Sequence, residues 1–173
     1  MSRWKTCCLA IRDQPHYRHD AFQSGLRAVG LTEVGPDRCD VYVCWNRYGG
    51  WAHWADACER RGGVVLVAEN SAWGNDFAGR RWYTLARGRH NTAGCFPVGG
   101  PERWDSLGVE LAPWREGKGE TVILPQRGIG PKGVAMPEGW GQGIKGRVRT
   151  HPGTNDCVPL EQDLAKATRV ITW

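Results

Sequence analysis

Apolar and polar positions fall into blocks whose lengths set the first expectations. Lys5 to Ile11 is a short, mostly apolar run that reads as a buried strand. Past Asp13, Gln14 and Pro15, residues Tyr17, Ala21, Leu26 and Val29 recur near helical spacing, and Gly30 is placed to stop that helix. Cys39 to Trp45 is β-rich and predicts the next strand. Trp51, Trp54, Ala55 and Cys58 share one face of a helix over Trp51 to Arg61, which Gly62 and Gly63 end. Val64 to Ala68 is fully apolar and closes on the polar pair Glu69-Asn70. Strand, helix, strand, helix, strand predicts parallel βαβ units.

Residues 71 to 115 are less regular, with a strand expected over Trp82 to Ala86 and a short helix over Pro101 to Leu107. Trp114 to Glu120 reads as a linker, which places a first Rossmann-like domain at 1–115 and a partial second α/β domain at 116–173. Within the second, Thr121 to Leu124 and Gly146 to Thr150 read as strands, and Leu160 to Ala167 as a helix with Pro159 at its start. Arg169 to Trp173 begins a further strand. A chain stopping there is expected to be a shortened one.

Composition narrows the class. Gly is 24 of 173 residues, twice the usual share of roughly 7%, which fits a loop-rich fold. Ten Trp against three Phe suits cores, interfaces and stacking clefts alike, because Trp combines a large apolar face with one N–H donor. Trp73, Trp82 and Trp104, in polar Gly-rich surroundings, are candidates for stacking on a sugar or base. The net charge of +5 permits a polyanionic partner without demanding one. Seven Cys is an odd number, several lie inside apolar runs, and none are spaced C-x-x-C. Free thiols in a cytoplasmic protein, with no metal site, are therefore expected. No apolar run approaches the length of a membrane span.

In parallel sheets ligands sit at the carboxyl ends of strands. Here those ends carry Arg12-Asp13, Asn46-Arg47-Tyr48-Gly49-Gly50 and Glu69-Asn70-Ser71, polar and glycine-bearing segments. In the second domain, Gln126-Arg127-Gly128-Ile129-Gly130 follows one strand and Arg149-Thr150-His151-Pro152-Gly153 the next. Backbone N–H groups, guanidinium groups and small residues at strand ends suit a phosphate or a nucleotide sugar. The plain alternative is a pair of ordinary β-to-loop turns.

From Asp40 onward the sequence resembles bacteriophage and prophage glycosyltransferase-like proteins of the GT-B type. The residues that carry the resemblance are VLVAENSAW (65–73, the final Trp being Trp73), RHN (89–91), APWREG (112–117), ILPQRGIGP (123–131), RTHPG (149–153) and PLEQDLAKATRVITW (159–173). The resemblance implies two facing Rossmann-like domains, the second binding a nucleotide-sugar donor and the first a hydroxyl acceptor, with modified DNA among the acceptors. It implies no cofactor beyond that co-substrate. Gln126, Arg127, Gly128, Gly130, Arg149, His151 and Gly153 would then be donor-side residues, and Asn46, Arg47, Asn70, Trp73 and Asn91 acceptor-side residues. A general base is required to activate the hydroxyl, and Glu69, His90 and Asp13 stand open as candidates. Family members continue beyond a stretch similar to Val170 to Trp173, so the alternative is a non-catalytic protein of this fold that grips a host protein or nucleic acid.

Overall fold

Short strands dominate the computed structural model, which describes residues 3–71, 76–77, 79–90, 93–113, 119–128, 135–151 and 159–173. The chain divides into two units, Met1–Leu107 and Gly108–Trp173. The expected linker lies mostly outside the described residues.

In the first unit β1 (Thr6–Ala10), α1 (His19–Ala28), β2 (Thr32–Glu33), β3 (Val41–Cys44), α2 (Gly50–Arg60) and β4 (Val64–Asn70) follow in order. A two-stranded ribbon of β5 (Asp76–Phe77) and β6 (Arg80–Arg81), then β7 (Tyr83–Arg87) and the single turn α3 (Glu102–Asp105), complete it. The sheet order is β2-β1-β3-β4-β7, parallel except for the antiparallel β7. This five-stranded, mostly parallel α/β sheet flanked by helices is consistent with a Rossmann-like unit. The strand order reverses at β1, so the crevice beyond the carboxyl ends of β1 and β3 is a topological switch point.

The two-residue period of the strands sorts the core onto two faces. Cys7, Leu9, Ile11, Val41, Val43 and Ala68 pack with Phe22 and Leu26 of α1. Tyr42, Cys44, Val65 and Val67 pack with Ala55 and Cys58 of α2 on the other. β3 is buried along its whole length, as expected for a central strand covered on both sides. Gly62 ends the second helix with φ +81, and a Cβ on Gly63 would stand 2.5 Å from Cys58 Sγ and 2.7 Å from the Asp40 carbonyl. That close approach lets β4 start directly under the helix end.

Several sequence expectations shift. The helix expected from Tyr17 starts at His19, because Pro15–Tyr17 form a 3-10 turn and Arg18 sits in the left-handed region at φ 47. Trp51 packs against the core, but Trp54 is 36% exposed; the buried stripe of α2 is narrowed to Ala55 and Cys58. The strand expected at Trp82 to Ala86 is present one residue later, and it runs antiparallel.

In the second unit β8 (Glu120–Leu124), β9 (Arg147–Val148), α4 (Leu160–Asp163) and β10 (Ala167–Thr172) form a parallel sheet of order β10-β8-β9 with one short helix. Val122 and Ile123 are its buried centre. The helix expected over Leu160 to Ala167 stops at Asp163. Ala167 N–H bonds back to the Leu164 carbonyl, and Ala167 already pairs with Glu120. The sheet ladder therefore claims the residues that helix periodicity assigned to α4. Among the described residues no helix is long and apolar enough to cross a membrane.

Candidate functional site

The first unit presents its polar strand ends at the switch point. Asp13 is exposed in the loop after β1, Asn46 is half-buried after β3, and Glu69 and Asn70 close β4. Glu69 Oε1 accepts the Asn70 backbone N–H at 3.2 Å. Antiparallel β7 lays Tyr83 beside Asn70 and carries Arg87 back beside Leu66. The chain leaving Arg87 turns and returns to bridge it at Cys95, so His90 belongs to a loop at the amino end of β4. Its Nδ1 is buried and has no hydrogen-bond partner among the described residues. Glu69 and Asp13 thus share the carboxyl edge, and His90 lies away from it. Trp73 and Asn91 lie outside the described residues. Among the stacking candidates, Trp82 is half-buried and Trp104 is 37% exposed.

Arg47, an acceptor-side candidate, is engaged by groups of its own unit. Its side chain is 5% exposed and is held by Asp56 and Glu59 of α2 and by the Gly88 carbonyl. The Arg47 guanidinium in turn holds the Asp56 carboxyl below the ordinary carboxylate range. An arginine committed to three internal acceptors fixes the β3–α2 loop onto its helix.

An aromatic group that no linear pattern joins lies at the same edge. Tyr17 and Trp45 meet edge-on at 4.7 Å, Trp45 and Tyr83 at 5.6 Å, and Phe22 lies 5.5 Å from Tyr83. Tyr83 donates its hydroxyl to the His16 carbonyl at 2.7 Å. Helical spacing assigns Tyr17 to a helix face, and the β-rich run puts Trp45 at a strand end. Only the strand order brings them together.

The second unit gathers charge at the carboxyl ends of β8 and β9. Pro125 to Gly128 leave β8, with Gly128 at φ +69 and the Gln126 N–H donating to Met136 Sδ at 3.2 Å. Arg149 N–H bonds the Ile123 carbonyl at 2.9 Å, extending the ladder past β9 to the first residue of the Arg149-Thr150-His151 segment. Burial, then the charges of Arg127 and Arg149, push the His151 imidazole below its ordinary pKa, so three basic side chains from two loops share one field. Gly130 and Gly153 lie outside the described residues. Arg149 is itself ion-paired, its Nε 2.5 Å from Asp163 Oδ2. Among the described residues no group of three or more His, Cys, Asp or Glu side chains is placed to hold a metal ion.

No family model, no curated protein and no solved structure matches the chain.

Proposed function

We propose that the chain is a glycosyltransferase-like protein of GT-B type. Its second unit holds the phosphates of a nucleotide-sugar donor on Arg127, Arg149 and His151, and its first unit receives a hydroxyl acceptor. The observation that carries this reading is the placement of Arg127 after β8 and of Arg149 and His151 after β9, at the carboxyl ends of adjacent parallel strands, the place where such sheets hold anionic ligands. Guanidinium groups bind phosphate in bidentate fashion, and a histidine whose pKa is lowered by burial and then by two arginines gains a proton more readily when an anion arrives. Gln126 and Gly128 would supply main-chain and amide donors beside them.

Calorimetric titration with UDP-, GDP- and CMP-sugars tests the reading. Heat with one donor, lost in Arg149→Ala and His151→Ala, supports it, and no heat with any of them overturns it. A second reading, a binding protein on the same fold that grips a host protein or nucleic acid, is favoured by the placement of His90 away from Glu69 and Asp13. A single stoichiometric partner, bound equally well by Arg149→Ala and His151→Ala proteins, would select it.

A further inference from the structure

The PLEQD segment takes no part in the proposed ligand contacts, yet it supplies the acid that organises them. Pro159 starts the turn, its carbonyl accepting the N–H groups of Gln162 and Asp163, and this single turn sets Asp163 beside β9. The two carboxylate oxygens of Asp163 are divided between two arginines. Oδ1 accepts from Arg147 Nη1 at 2.6 Å, and Oδ2 pairs with Arg149 Nε. Arg147 is held from its other side by both oxygens of Glu120, at 3.0 and 2.8 Å, and also donates to the Asp163 carbonyl. Charges therefore alternate along Glu120, Arg147, Asp163 and Arg149, from the start of β8 to the loop after β9. Asp163 and Arg149 are both about nine-tenths buried as side chains, so water screens this pair little.

We propose that Asp163 is a positioning residue that presets the Arg149 guanidinium for an anionic ligand, with Arg147 and Glu120 holding Asp163 in turn. The proposal deepens the donor-site reading above and rests on it for the identity of the ligand. An arginine has many rotamers, and ordering it on binding costs affinity. An arginine whose Nε is already ion-paired with a fixed carboxylate meets a phosphate with less of that ordering left to complete.

The test is a double-mutant cycle read by titration with uridine diphosphate and guanosine diphosphate. Asp163→Asn weakens binding about tenfold, and in an Arg149→Ala background it weakens binding no further, because its effect runs through Arg149. Unchanged affinity in Asp163→Asn, or an additive loss in the double variant, overturns the proposal. A merely structural acid would lower stability equally in both backgrounds without that coupling in affinity. If neither diphosphate binds the wild-type protein, the donor-site reading fails separately. The positioning claim is then decided by nitrogen-15 relaxation of the arginine Nε–H groups. The Arg149 signal is as rigid as the backbone in the wild-type protein, and a signal as mobile as that of an exposed arginine overturns the claim whether or not Asp163→Asn folds.

Discussion

Arg47 and Glu59 form a fork-to-fork pair across the β3–α2 loop, with Nη1 to Oε1 at 3.0 Å and Nη2 to Oε2 at 2.6 Å. The guanidinium is buried while Glu59 is 42% exposed and the second partner, Asp56, 48% exposed. The carboxylates can be hydrated if the arginine is lost, so the expected penalty is smaller than for a pair buried on both sides. Arg47→Ala is expected to cost about 2–3 kcal/mol, mainly from lost packing and from the Gly88 carbonyl losing its donor. Urea unfolding measures it. A change below about 0.5 kcal/mol would show that the pair does not anchor the loop.

His151 gives a pH signature. Its pKa in the free protein is lowered by burial and by Arg127 and Arg149, so near neutrality it is uncharged. A bound phosphate favours the imidazolium and raises that pKa. Binding therefore takes up a proton, and affinity rises as pH falls from 8 toward 6. It levels off once His151 is protonated before the ligand arrives. Titrations in buffers of different ionisation enthalpy report the proton, and His151→Gln should abolish the uptake. Uptake that persists in that variant would assign the proton elsewhere.

The first unit was largely legible because its strands are covered on both faces and so read as continuous apolar runs, as in Val64 to Ala68. The polar strand ends were legible for the same reason, since Asn46 and Glu69 interrupt those runs abruptly. What no linear pattern carries is pairing. β2 is two exposed residues recognisable only by their place beside β1, and the reversal of β7 depends on its partner. Arg47 in a glycine-bearing loop looks the same whether it faces a ligand or two acids on the next helix. Asp163 was visible as a helix residue, and its role depends on Arg147 and Arg149, more than ten residues earlier in the chain.

The cysteines make a reactivity prediction. Cys7, Cys39, Cys44 and Cys58 are buried, Cys8 is half-buried and Cys95 is exposed. Burial pushes the Cys8 thiol up to about 11 and those of Cys39 and Cys44 to about 12. At pH 8 a thiol near 11 is only about one part in a thousand thiolate, the reactive form. In a Cys157→Ser protein, which removes the cysteine outside the described residues, a thiol-exchange reagent should label one site rapidly, and Cys95→Ser should remove that phase. The remaining five should react only with unfolding. A second fast thiol in the native protein would contradict the packing of the α2 face.

Asp40 ties the start of β1 to the residue before β3. One of its oxygens accepts the backbone N–H groups of Lys5 and Thr6, each at 2.9 Å, and the Thr6 hydroxyl at 3.0 Å, while the Asp40 N–H donates back to that hydroxyl. The Lys5 and Thr6 N–H groups stabilise the ionised form and lower the Asp40 pKa. A carboxylate with a depressed folded pKa contributes stability above its unfolded value, near 3.9, and loses it as pH falls through the folded value. Asp40→Asn should therefore cost about 1–2 kcal/mol at pH 7, and the difference from the wild-type protein should shrink steadily below about pH 4. Urea unfolding at pH 7 and pH 3 distinguishes the cases. An equal penalty at both would mean that the charge of Asp40 contributes nothing and that the loss comes from hydrogen-bond shape alone.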